Sequence, residues 1–138
     1  IKFLIKNKIP VMGHLGLLPQ SETGRFSFKG KKIAERNKIL NDAKLLEEAG
    51  VFSIVLECIE TSLAKLITKK VNVPTIGIGA SRYCDGQILV IDDLIGLNPI
   101  NVRFVKKYSN IQKIIKNAVS NFSKDVKKKK FPQKKHSY

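Results

Sequence analysis

Short apolar runs alternate along the chain with longer stretches of three- and four-residue periodicity. Ile9-Pro10-Val11-Met12-Gly13 predicts a short buried strand, followed by a Gly- and Pro-punctuated loop from His14 to Gly30. Residues 32–49 predict a helix, with Ile33, Leu40, Ala43, Leu46 and Ala49 at helical steps and Gly50 where a C-cap belongs. Val51 to Glu57 is a nearly continuous apolar run ending on a carboxylate, the pattern of a parallel strand covered on both faces. Thr61 or Ser62 is placed to cap a helix running to Lys70, with Leu63, Leu66 and Ile67 as its stripe. Pro74 restarts the chain before a strand at Thr75–Ile78, a loop from Gly79 to Gly86 and a fourth strand at Gln87–Val90. Val105, Tyr108, Ile111, Ile115, Val119, Phe122 and Val126 give residues 102–126 a long amphipathic helical pattern, which Ser109-Asn110 is placed to break in two. Residues 127–138 form a basic tail.

Strands alternating with helices imply a parallel α/β sheet with right-handed crossovers. A small doubly wound sheet and part of a (β/α)8 barrel both satisfy this order. In either, polar groups at the carboxyl ends of strands are the functional candidates. Three such places are His14, Glu57 and the Gly79–Gly86 loop. Glu57 closes an apolar strand, where an unpartnered carboxylate is costly to bury and suits a proton acceptor; the plain alternative is an exposed strand end or an ion pair with Lys65. His14 lies between Gly13 and Leu15-Gly16, small neighbours that would let a ligand approach the backbone. Gly77-Ile78-Gly79-Ala80-Ser81 has glycines suited to close approach or an anion nest, yet lacks the third glycine of a dinucleotide fingerprint. Asp85-Gly86 reads as an ordinary turn, and Cys84 has no base near it in sequence.

Composition narrows the classes. A chain of 138 residues, 43% of them hydrophobic, is one domain's worth of chain with enough apolar surface for a core, which excludes disorder throughout. No run of about 18 apolar residues predicts a membrane span, and no signal-peptide pattern opens the chain. Ile1 in place of Met marks a start that need not be a natural N-terminus. Cys58 and Cys84 show neither paired nor zinc-type spacing, so a reducing cytoplasm is expected. With His136 the only other histidine, a multi-histidine metal site is excluded. The net charge of +15 is uneven: residues 102–138 hold twelve Lys and Arg against Asp125 alone, and residues 1–101 contribute only +4. Such a tail would fit nucleic acid or an anionic membrane. Lys, Ile and Asn make up 48 of the 138 residues, as A/T-rich codons would produce, so a solvated basic face is the favoured reading.

Several segments together resemble the ketopantoate hydroxymethyltransferase family. Val11-Met12-Gly13-His14-Leu15-Gly16-Leu17-Leu18-Pro19-Gln20-Ser21 is similar to its GHLGLxPQS signature, Val55-Leu56-Glu57-Cys58-Ile59 to its VLEC segment, and Pro74 through Val90 to its PxIGIGAxxxxDGQILV stretch. Phe104-Val105-Lys106-Lys107-Tyr108 and the closing Phe131-Pro132 with His136-Ser137-Tyr138 complete the likeness. The segment 22–31 and Lys134-Lys135 depart from the family pattern.

The resemblance implies an α/β fold, the C-terminal half of a TIM-type (β/α)8 barrel of phosphoenolpyruvate/pyruvate type. A whole barrel takes about 250 residues, so this chain would supply strands five to eight plus C-terminal helices over residues 1–126, followed by the tail 127–138. The implied reaction is hydroxymethyl transfer from 5,10-methylenetetrahydrofolate to 3-methyl-2-oxobutanoate, giving 2-dehydropantoate for pantothenate and coenzyme A synthesis. By resemblance Glu57 is the proton acceptor, and His14 and Ser81 contact substrate. Mg²⁺ is the implied cofactor, its ligands lying in the absent half; Asp92 and Asp93 are not assigned to it. The implied partners are small molecules and further copies of the same protein in a homo-oligomer, often a decamer, with no specific nucleic acid and no membrane. Two other readings stand beside it: a degenerate remnant of such an enzyme, and a basic module that grips anionic polymer.

Overall fold

A computed structural model describes residues 1–18 and 27–138, so part of the altered segment 22–31 lies outside the described residues. The chain forms two compact units, Ile1–Ile88 and Leu89–Tyr138.

The first unit holds helix α1 (Lys2–Lys6), strand β1 (Met12–Gly16), helix α2 (Ile33–Glu48), strand β2 (Ser53–Glu57), helix α3 (Thr61–Lys70), strand β3 (Thr75–Ile78) and the two-residue strand β4 (Gly86–Gln87). All neighbouring strands pair in parallel, in the order β1-β2-β3-β4. Spatial order follows sequence order without reversal. A doubly wound sheet turns back at a switch point, so this winding is consistent with a partial TIM-type fold.

One face of the sheet is packed. Ile54 and Leu56 of β2 are fully buried with Ile39 and Ala43 of α2 and Leu63, Ala64 and Ile67 of α3. Strand periodicity turns their neighbours Val55 and Glu57 to the opposite face, with Met12 and His14 of β1 and Ile76 and Ile78 of β3. On that face Met12 is exposed and Val55, Ile76 and Ile78 are half-buried. Helices α2 and α3 pack on the face of Ile54 and Leu56, while on the other face of β2 Ser53 is buried and Val55 and Glu57 are half-buried.

Element boundaries shift for local reasons. The first strand begins at Met12 rather than Ile9, past Pro10. The cap of α3 is Glu60, not Thr61 or Ser62; its carboxylate accepts hydrogen bonds from the backbone N–H groups of Ser62 and Leu63. The fourth strand ends at Gln87, because Val90 already precedes the first turn of α4 (Ile91–Leu94).

In the second unit the long amphipathic pattern yields a helix only from Ile111 to Lys127 (α5), capped by Asn110, whose side-chain oxygen accepts from Lys113 N–H. Residues 102–110 are instead tied by backbone bonds, Tyr108 N–H donating to Leu94 O. The ring of Phe131 meets Phe122 edge-on at 5.4 Å, and Lys134–His136 forms a 3-10 turn.

Candidate active site

Strands β1 and β2 bring the two leading candidates together. His14 is in register with Val55, and Glu57 lies two residues further along β2 on the same face. His14 Nε2 stands 3.1 Å from Glu57 Oε2, with 36% of the imidazole and 15% of the carboxylate side chain exposed. Glu57 is thus partnered at a mostly enclosed strand end. Lys65, the alternative partner near it in sequence, instead places Nζ 4.1 Å from the Tyr83 ring centroid. A histidine this close to a carboxylate restricts the orientation of both side chains at the strand end.

Beside His14 opens a cleft of about 260 Å³. His14, Leu15, Gly16 and Leu18 line it from the end of β1, with Lys29, Glu35, Lys38, Ile39 and Asp42 opposite. Glu35 is already engaged, accepting from Gly30 N–H at 2.8 Å.

Both glycines beside His14 are closely approached by the protein's own atoms. A Cβ on Gly13 would lie 2.9 Å from Leu46 of α2, so Gly13 is there for helix–sheet packing. The space above Gly77 is likewise taken by the side chains of Gln87 and Cys84. Ser81 is buried within the β3–β4 loop, its hydroxyl accepting from Tyr83 N–H and its carbonyl from Gln87 Nε2. Asp85 proves to be more than a turn residue. Its carboxylate accepts from both the N–H and the hydroxyl of Thr75, at 2.8 and 3.0 Å, and Thr75 also bonds Thr68 of α3. This clamp tying the loop to the base of β3 joins residues ten apart, and no local pattern signals it.

Cys84 is a free, buried thiol of the core. Cys58 follows Glu57 directly; burial first, and then the charge of Glu57, push its thiol pKa up. Both effects keep it protonated, so Cys58 is not equipped as a nucleophile. Asp92 and Asp93 begin α4, where Asp93 accepts from Asn98 Nδ2. Among the described residues no group of three or more His, Cys, Asp or Glu could hold a metal ion. These side chains therefore do not fit a Mg²⁺ site.

The family model described as ketopantoate hydroxymethyltransferase matches residues 1–134. The chain belongs to that family. It is 73% identical over all 138 of its residues to the 3-methyl-2-oxobutanoate hydroxymethyltransferase of Pelagibacter ubique (strain HTCC1062), covering 53% of that relative. The enzyme of the same name from Clostridium botulinum (strain 657 / Type Ba4) is 50% identical over 141 residues, with all of this chain and 51% of the relative covered. That of Thermosipho melanesiensis is 53% identical over 133 residues, with 94% and 50% covered. The chain spans about half the length of the curated relatives it matches. No helix among the described residues is long and apolar enough to cross a membrane.

Proposed function

We propose that this chain supplies the proton-acceptor half of a ketopantoate hydroxymethyltransferase, with β1 to β4 serving as strands five to eight of a (β/α)8 barrel. The observation that carries the reading is the His14–Glu57 pair at the carboxyl ends of adjacent parallel strands, in a member of this family. In such barrels the carboxyl ends of the strands carry the chemistry.

The reaction needs a proton removed from C3 of 3-methyl-2-oxobutanoate. Glu57 takes that proton, and the electron pair left on C3 delocalises into the adjacent ketone. C3 then forms a carbon–carbon bond to the one-carbon unit of 5,10-methylenetetrahydrofolate. The carbon–nitrogen bonds of that unit break, water supplies the hydroxyl, and 2-dehydropantoate and tetrahydrofolate leave. His14 holds the Glu57 carboxylate in line, and Ser81 shapes the loop beside the site. The divalent ion of the family, Mg²⁺, would polarise the ketone when bound, on ligands outside this chain. A cytoplasmic homo-oligomer acting on small molecules completes the reading.

The test is Glu57→Gln in the complete enzyme, this chain with its other half supplied. Hydrogen–deuterium exchange at C3 of the ketoacid should vanish while ketoacid binding stays measurable. Undiminished exchange would sink the assignment.

A further inference from the structure

The end of β2 is held more tightly than a strand end requires. Gly16, Glu57 and Ile78 lie side by side across three parallel strands. The Glu57 carbonyl accepts from Leu17 N–H at 2.9 Å, Cys58 N–H donates to Ile78 O at 2.9 Å, and the Cys58 carbonyl accepts from Lys29 N–H at 2.7 Å. Both peptide groups after Glu57 are thereby fixed from three segments.

Two backbone features make this possible. Cys58 adopts a left-handed conformation, φ +49°, uncommon for a residue with a side chain. In a continuing strand Ile59 would share the face of Glu57. The left-handed residue breaks that alternation, and Cys58 and Ile59 are both buried, at 7% and 1% exposure. Glu57 is thus the last side chain on the open face. Gly16, at φ +103°, is the second feature: a Cβ there would fall 2.0 Å from the Glu57 carbonyl oxygen. Only hydrogen fits between the strands at that point. On the same strand, two residues earlier, His14 lies within 3.1 Å of the carboxylate. Strained backbone of this kind persists where the surroundings over-determine it, and it concentrates at functional sites.

We propose that Gly16 and Cys58 are positioning residues for Glu57, locking the end of β2 through their backbone conformations so that the carboxylate meets His14 and the substrate at a fixed place. The proposal rests on the reading of Glu57 as the proton acceptor. Cys58 acts here through its φ angle rather than its sulfur.

Substitutions at position 58 separate the possible roles, because tolerance of a left-handed backbone and fitness for a small apolar core site rank residues in opposite orders. Asn and Gly accept the conformation, Ala accepts it less well, and β-branched Val resists it. Packing favours Val and Ala over Asn. In the complete enzyme, Cys58→Asn and Cys58→Gly should keep C3 exchange close to the parent rate even where the melting temperature falls. Cys58→Val should lose about 100-fold in the exchange rate with KM little changed, the scale of a misplacement of about 1 Å. Gly16→Ala should show the same split. If Cys58→Val does not fold, Asn against Ala decides: exchange in Asn at or above that in Ala supports the proposal, and the reverse order overturns it. Full exchange in a folded Cys58→Val overturns it as well. Loss of exchange in Asn, Gly and Ala alike would assign the role to the thiol and overturn it too. Glu57→Gln is the control. If it leaves exchange intact, the reading of Glu57 falls and takes the proposal with it; if it abolishes exchange while Cys58→Val does not, only the positioning role falls.

Discussion

Glu60 does its structural work as an anion. Its carboxylate accepts from Ser62 Oγ, from the N–H groups of Ser62 and Leu63, and from Arg36, and the bonds from Ser62 lead in lowering its pKa to about 2, from 4.5. A folded pKa below the unfolded one gives stability that is fully present above about pH 4.5 and is lost as pH falls toward 2. Glu60→Gln should therefore destabilise the chain at pH 7 by about 1 kcal/mol, the scale of a lost helix cap. Urea titrations of parent and variant at a series of pH values should show the difference shrinking between pH 4.5 and 2. A constant difference across that range would mean that the charge on Glu60 contributes nothing. Asp85→Ala poses the same kind of question at the other loop. It strips the buried Thr75 of its carboxylate partner, and an orphaned buried donor costs about 1–3 kcal/mol. Equilibrium unfolding should register the loss.

The helices show how far periodicity alone leads. Residues 32–49 were legible as a helix, and α2 runs from Ile33 to Glu48 with Gly50 in the left-handed conformation after it. The predicted stripe was partly misplaced. Ala43 is buried as expected, but Ile39 takes the core position and Ile33 is 78% exposed. The pattern marks which residues are apolar, and the rotation of the helix on the sheet decides which of them are covered. Ile33→Ala should accordingly change stability by less than about 0.5 kcal/mol. Ile67→Ala, on the fully buried face of α3, should cost about 2–5 kcal/mol, because the cavity it leaves cannot collapse between helix and sheet. Chemical denaturation of the two variants side by side tests both expectations. A further case is α5, whose amphipathic pattern is unmistakable while none of its residues is buried.

At the scale of the molecule, the four-stranded sheet has two outer edges. Among the described residues β1 pairs only with β2, and β4 only with β3. Its other face carries Met12, which is exposed, and Val55, Ile76 and Ile78, which are half-buried, beside the His14–Glu57 pair. Unpaired edges and a partly exposed apolar face both favour association. The 138-residue chain on its own should therefore form oligomers or aggregates at micromolar concentration, as read by light scattering after size-exclusion chromatography. A monodisperse monomer with a sharp cooperative melt would contradict this. The isolated chain should also show no hydroxymethyl transfer. Losing one electrostatic stabiliser of a transition state costs about 10²–10³ in rate, and among the described residues no group of three or more His, Cys, Asp or Glu could hold a metal ion. Supplying that half, on the same or a second chain, should restore turnover; full turnover without it would refute the half-barrel reading.

The sequence by itself determined the kinds of elements and their order, because apolar runs and helical periodicity are local properties. It also marked Glu57 and His14, since a carboxylate closing an apolar strand and a histidine set among glycines stand out wherever they fall. Only the tertiary structure decided that these two side chains meet. Their contact depends on the register between strands whose partners lie some forty residues apart, and no local pattern encodes that register. It likewise decided that Glu60 and not Thr61 caps α3, that Asp85 clamps Thr75, and that Cys58 turns left-handed. Each is settled by which backbone and side-chain groups approach one another once the sheet has formed, a matter of packing between segments that the one-dimensional pattern does not contain.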